Sequence, residues 1–272
     1  METTPPRIHT APARTILSVS GPEARALLQR VITADVETLE AGQCRPGGLL
    51  TPQGKLAADF LLFADGETVW LDVPGATAET LAKRLSMFRL RAKAEIVINT
   101  DLAALWSEHP FDNSAPDPRL GGGVHRGIGE EAGDSVSLDA VEILHGIPAF
   151  GRDYGEAEVF PTDVNLDVYG GIGWKKGCFI GQEVVSRMKR RGTIRKRSLS
   201  LSFSGDAPAS GTPVMAGTST IGEITSSHGH HAIALIRLDR LEAASETPRA
   251  GGQECVIAVP DALRPDAAAE KV

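Results

Sequence analysis

Aromatic residues are scarce in this sequence, only 5% of 272 residues, so any core must rest on Leu, Val, Ile and Ala. Long apolar runs are absent; none reaches the roughly 18 residues that cross a bilayer as a helix, and no membrane association is expected. The opening METTPPRIHTAPARTILSVSG lacks the apolar core and basic flank of a secretory leader. Cysteine is rare and odd in number. Cys44, Cys178 and Cys255 lie far apart, which argues against a disulfide framework and for a reducing compartment, read here as the cytoplasm. No two of them are close enough in sequence for a local zinc or iron–sulfur site, so no metal site is expected. Net positive charge is missing too. A net charge of −7 argues against a protein that coats nucleic acid with its whole surface.

What is present is ordinary globular composition, 42% hydrophobic with 29 Gly and 17 Pro. TILSVSG alternates like a strand. Ser20 is placed to cap a helix in which Ala24, Leu27, Leu28 and Val31 form an apolar stripe. GGLLT, LAADFLLFA and TVWLDV read as a strand meander turning at PQGK and ADGE. GATAETLAKRLSMFRLRAKAEI reads as a second helix, with Leu81, Leu85 and Phe88 on its apolar face, running into a strand. Residues 109–135 are rich in breakers. Gly127-Ile128-Gly129 is read there as part of a turn-rich connection and not as a dinucleotide fingerprint, because no strand leads into it. VEILHGIPAFGRDYGEAEVFPTDVNLDVYGGIGWKKGC has little periodicity and reads as a long ordered loop system, the kind that often carries function. Asp139 and Glu142 are expected at the surface beside a strand. From Arg197 onward short strands separated by Gly, Pro and Ser predict a small β-barrel or sandwich. The fold class is α+β. The expected divisions are 1–108, 109–195, 196–262 and a tail at 263–272.

The stretch Lys175-Lys176-Gly177-Cys178-Phe179-Ile180-Gly181-Gln182-Glu183 carries the main chemical signal. Gly181 to Arg191 reads as a helix with Val184, Val185 and Met188 as its stripe, a Glu183–Arg187 pair of favourable order, and Gly192 as its C-terminal cap. Cys178 then precedes a helix N-terminus, where the dipole and two lysines favour a thiolate. The residues alone leave two readings open, a reactive thiol or a small packing residue.

The segment Lys176 to Glu183 fills every fixed position of a Lys-Gly-Cys-aromatic-x-Gly-Gln-Glu motif. On it the chain resembles the YgfZ family of folate-binding, iron–sulfur-associated proteins, relatives of the glycine-cleavage T-protein. SGPEARALLQRVITADVETLEAG resembles the family's first helix and Thr-Asn-Asp turn, with Ala34 in the Asn place. TPQGKLAADFLLF resembles its Pro-Gln-Gly hairpin, and LRAKAEI its Leu-Arg-Ser-Lys-Val strand. In GIPAFGRDYGEAEVFPTDVNLD, Pro161 and Leu166 match and Asp163 stands for a Glu. The resemblance implies a three-domain ring with split ferredoxin-like α+β parts and a C-terminal barrel. It also implies tetrahydrofolate or a derivative as cofactor, and a role in assembling or repairing iron–sulfur clusters in client enzymes. Those clients include a tRNA methylthiotransferase, so any link to tRNA modification is indirect, and no direct nucleic-acid contact is expected.

Two functions follow. The first is an accessory factor for iron–sulfur proteins. The alternative is a one-carbon transferase of the T-protein type, for which Asp59 falls approximately where that enzyme has its catalytic aspartate; the bland reading of Asp59 is a solvent-facing strand residue. The candidate set is Cys178 and Asp59 for chemistry, with Lys176, Gly177, Gln182, Glu183, Arg187, Asp163 and Trp174 around the folate. Asp163 and Glu183 can accept from an amino-pyrimidine edge, and Trp174 can stack on a pterin or anchor a core. The seven basic residues from Arg187 to Arg197 suggest an anion site or a solvated face. His228, His230 and His231 read as a solvated hairpin tip.

Overall fold

The computed structural model describes residues 6–260 and 263. The chain divides into two compact units, Met1–Leu138 with Tyr169–Ser186, and Asp139–Val168 with Arg187–Val272. The elements of the first stretch are β1 (His9–Thr10), β2 (Arg14–Ser20), α1 (Ala24–Val31), β3 (Cys44–Leu50), β4 (Leu56–Asp65), β5 (Thr68–Pro74), α2 (Gly75–Arg89), β6 (Glu95–Asn99), β7 (Ala103–Ser107), β8 (Ala115–Pro116) and β9 (His125–Gly129).

They build two antiparallel sheets, one ordered β3-β4-β5-β2-β6 and one ordered β1-β7-β9-β8. The period of two along β4 explains its apolar character on both sides. Ala58, Phe60 and Leu62 join the core beneath α1 and α2. Leu61 and Phe63 point the other way, against Ala115 and Ile128 of the second sheet. A strand covered on both faces reads as a continuous apolar run.

Helix α1 buries Ala24, Leu27, Leu28 and Val31, as their spacing predicts. Ser20 does not cap it. Glu23 occupies the cap position, and its carboxylate accepts the Lys93 N–H instead. On α2 the buried set is Thr77, Ala78, Leu81 and Leu85, and Phe88 is 38% exposed because the helix runs past the core it covers. The LRAKAEI strand begins only at Glu95.

Gly127-Ile128-Gly129 is strand, not turn. It lies in β9, and a Cβ on Gly127 would stand 2.8 Å from the Phe111 ring, so glycine lets that ring pack. The expectation failed because glycines weaken the strand signal that packing supplies here.

The second unit begins with α3 (Asp139–His145). Asp139 and Glu142 therefore sit on a helix, and Glu142 is buried, its carboxylate accepting from Arg152 at 3.1 Å. The loop system expected from Val141 begins only after this helix, since VEILH is its last part; residues 146–181 carry neither helix nor strand. Helix α4 (Gln182–Arg190) follows. It ends in a Schellman turn: Thr193 N–H donates to Met188 O (3.0 Å), Gly192 N–H to Lys189 O (3.1 Å), and Gly192 has φ +60°.

The remaining elements are β10 (Lys196–Phe203), β11 (Pro213–Ala216), β12 (Ser219–His228), β13 (His231–Arg237), α5 (Leu238–Glu242), β14 (Arg249–Ala250) and β15 (Gln253–Ala258). The six strands close into a barrel ordered β10-β13-β12-β11-β14-β15 around Leu199, Leu201, Val214, Ile224 and Ile236. The chain is thus α+β with antiparallel sheets and a closed C-terminal barrel. His228 pairs with His231 across the β12–β13 hairpin. Apart from Leu263, the expected tail at 263–272 lies outside the described residues. No helix among the described residues is long and apolar enough to cross a membrane.

Candidate functional site

Three segments that are distant in sequence meet in the first unit: the turn at Thr33, the PQGK hairpin between β3 and β4, and the motif from Lys176 to Glu183. Thr33 ties its turn to β3 and to the residues that lead into the motif. Its N–H donates to Gly48 O (2.9 Å), its Oγ1 donates to Gly171 O (2.7 Å) and accepts from Gly48 N–H (2.9 Å), and its carbonyl accepts from Gly173 N–H (2.9 Å). Lys176 adds a second clasp. Its Nζ donates to Ile32 O (2.7 Å) and Ala34 O (2.6 Å) and stands 5.1 Å from the centre of the Phe179 ring. Ala34, in the family's Asn position, is buried, with its Cβ facing Gly47.

The hairpin meets the motif through two glycines. Gly54 and Gly181 have φ of +80° and +75°. A Cβ on Gly181 would stand 2.7 Å from Thr51 O and 3.1 Å from Gly54 Cα, and one on Gly54 would stand 2.9 Å from Val184 Cβ. Both positions therefore require glycine for conformation and for space.

Cys178 lies between these anchors. Lys176 is half-buried, Phe179 is buried and Gly181 is wedged against the hairpin, yet Cys178 is exposed. The other thiols differ. Burial pushes Cys44 well above the usual thiol range, with Asp117 adding to the rise. Burial raises Cys255 to about 11. Burial also lowers the Lys176 ammonium to about 8, against the opposing pull of Asp35 and Glu37.

The remaining candidates are spread more widely. Gly177 is exposed, and nothing lies within 4 Å of where its Cβ would be. Gln182 begins α4, its N–H donating to Phe179 O (3.2 Å), and Glu183 is exposed in the first turn. Trp174 is half-buried, its N–H donating to Ile172 O. Asp59 is half-buried on β4 opposite Gly48, the residue that bonds Thr33 Oγ1. Asp163 and Arg187 belong to the second unit. Asp163 is buried, and its Oδ2 accepts the Phe160 N–H (2.9 Å) while its carbonyl accepts that of Ser198 (2.7 Å).

The basic run is not uniform. Arg187, Lys189, Arg190, Arg191, Arg195 and Lys196 are exposed, but Arg197 turns inward on β10. There it makes a bidentate bond to Asp167 (2.5 and 2.9 Å) and a third to Thr162 O (2.7 Å). It is a structural ion pair, not part of an anion-binding face.

Sequence reading also missed a buried charge network between the two sheets. Asp72, fully buried on β5, accepts from Arg14 Nε (2.6 Å) and from Arg126 of β9. Arg126 in turn lies 3.8 Å from Asp117, which is paired with Arg119 at 2.7 Å. Burial would raise the Asp117 carboxyl, but Arg119 and Arg126 outweigh it and hold it below the usual range. The one signal in the sequence was an aspartate in the middle of the apolar strand TVWLDV.

Comparison with known proteins follows the same lines. The family described as "CAF17, C-terminal beta-barrel domain" matches residues 195–265. The mitochondrial iron–sulfur cluster assembly factor IBA57 homolog of Neurospora crassa is 28% identical over 72% of this chain and 54% of that protein. The corresponding human factor is 24% identical over 91% of this chain and 83% of that protein. The chain spans little more than half the length of the fungal relatives it matches. The solved structure of glycine cleavage system aminomethyltransferase T from Bartonella henselae superposes with a TM-score of 0.74 at 15% identity, covering 93% of this chain and 84% of that one, a likeness of fold. The chain is thus similar to the IBA57 iron–sulfur cluster assembly factors over most of its length, its barrel matches the CAF17 C-terminal domain, and its fold is that of the aminomethyltransferase.

Proposed function

We propose that this protein is an accessory factor in the assembly or repair of iron–sulfur clusters, that it binds tetrahydrofolate or a derivative, and that Cys178 is its working thiol. The observation that carries the reading is the contrast at Cys178: an exposed thiol on a segment whose neighbours Lys176, Phe179 and Gly181 are each fixed to the first unit. A packing cysteine would be inside, as Cys255 is. The names of the relatives supply the process. The partners are then client iron–sulfur proteins, with any tRNA modification downstream of a client, and a cytoplasmic location belongs to the same proposal.

The side chains at hand suit a reduced folate chemically. Exposed Glu183 can accept from an amino-pyrimidine edge and half-buried Trp174 offers an indole face. The competing reading, a one-carbon transferase, rests on Asp59. Its half-buried place opposite Gly48 is compatible with a carboxylate that stabilises developing positive charge.

Calorimetry with tetrahydrofolate and its methylene and formyl forms tests the ligand. Binding of at least one form, with a matching rise in melting temperature, is expected. No heat and no shift at ligand excess would remove folate from the account. Consumption of the methylene form that is abolished by Asp59→Asn would favour the transferase.

A further inference from the structure

The last turn of α2 and the loop after it direct apolar side chains into solvent. Met87 is 62% exposed and Leu90 is 84% exposed, with Phe88 beside them. Leu90 ends the helix at φ 49° and ψ −107°, a backbone state that L side chains rarely adopt. Val97, also exposed, lies on β6 but alternates to the face away from α2, because Ile96 and Ile98 are the residues packed on the core that α2 covers, and it is not part of this cluster. Scattered exposed apolar residues are ordinary, but a cluster of this kind marks an interaction surface.

The charge along the cluster's own segment is basic, with Glu23, whose carboxylate accepts the Lys93 N–H, and Glu95 as the acids at its far end. Lys83, Arg84, Arg89, Arg91 and Lys93 fall within a stretch that has no acid between Glu79 and Glu95, although the whole chain carries −7. Lys83, Arg89, Arg91 and Lys93 are exposed. Arg, Met and Phe are enriched in protein interfaces, and opposed charge speeds and orients association.

From this juxtaposition we propose that residues 83–93 form a docking surface for a protein partner whose contact face is acidic around an apolar centre. Two copies meeting face to face through this patch would oppose cation to cation. A membrane-surface helix would need a long apolar stripe to lie in the interface, and the stripe of α2, Ala78, Leu81 and Leu85, is already in the core. What is left outside is a short apolar knob flanked by Lys83, Arg89 and Arg91, which suits a folded protein. The surface does not depend on the folate or thiol reading.

The test places the photo-cross-linker p-benzoylphenylalanine at Leu90 of the full chain in its host cells, with the same residue at exposed Glu246 as control. Adducts are identified by mass spectrometry, and the captured protein is purified and titrated against the chain. The expected result is an adduct specific to position 90 with an acidic protein. Its affinity should fall with salt and fall about tenfold or more in both Leu90→Ser and Arg91→Glu, variants at exposed sites that keep the melting temperature. The proposal is overturned by any of four results: no adduct beyond the control; a captured protein that binds the variants as it binds the native chain; a homo-adduct with concentration-dependent self-association; or retention on phosphatidylserine-rich vesicles that Leu90→Ser abolishes.

Discussion

At the scale of single residues, the three cysteines should separate by reactivity. A thiol reacts as its thiolate and only where reagent can reach it. Iodoacetamide at neutral pH should therefore alkylate Cys178 of the native protein before Cys44 or Cys255, whose thiols burial holds above the usual range. Peptide mass spectrometry reads the order, and modification of Cys255 first would contradict the structure. Lys176 makes a second prediction. Its ammonium is held at about 8 in the folded state, below its ordinary value, so between pH 8 and roughly 10 the unfolded chain binds more protons there. The contribution of this group to stability therefore rises with pH through that window. The melting temperature of the native protein minus that of Lys176→Met should grow from pH 7.5 to pH 10; a constant difference would mean that the ammonium is not desolvated.

At the scale of elements, the joint between the PQGK hairpin and the start of α4 is the most demanding contact in the candidate site. Gly181→Ala would place a Cβ 2.7 Å from Thr51 O at φ +75°, at an expected cost of about 2–4 kcal/mol. Gly177→Ala faces open space and should cost less than about 0.5 kcal/mol. Chemical denaturation of both variants checks the pair, and equal costs would refute the packing described. The two sheets of the first unit are joined by charge as well as by Leu61 and Phe63. Asp72→Asn leaves buried Arg126 with only the more distant Asp117 carboxylate and should cost about 2–4 kcal/mol, measurable by the same denaturation.

Much of this element structure was legible in the sequence because local periodicity carries it. The stripe of α1, the meander β3-β4-β5, the Gly192 cap and the strands of the barrel all follow from spacing and turn residues. What was not legible depends on partners far away in the chain. Gly127 reads as a breaker until the Phe111 ring is seen against it. Arg197 reads as one more exposed cation until strand alternation turns it toward Asp167. Phe88 fits the helical period of α2, but the core ends before it. Of the candidate site, the motif and its cysteine were plain, whereas the clasp by Thr33 and Lys176 is made of backbone carbonyls that no side-chain pattern announces.

At the scale of the whole molecule, a fold shared with an aminomethyltransferase carries, in its first unit, an anchored segment that presents an exposed cysteine, and the proposal is that this cysteine serves iron–sulfur proteins. The most direct measurement is complementation in cells that lack the protein. Cys178→Ala should fold with a melting temperature close to that of the native chain and should bind folate as before, because an exposed side chain supports no core. It should nevertheless fail to restore the activity of iron–sulfur enzymes, while Cys44→Ala and Cys255→Ala, at whatever level they fold, restore activity in proportion to folded protein. Full rescue by a stable Cys178→Ala protein would contradict the account.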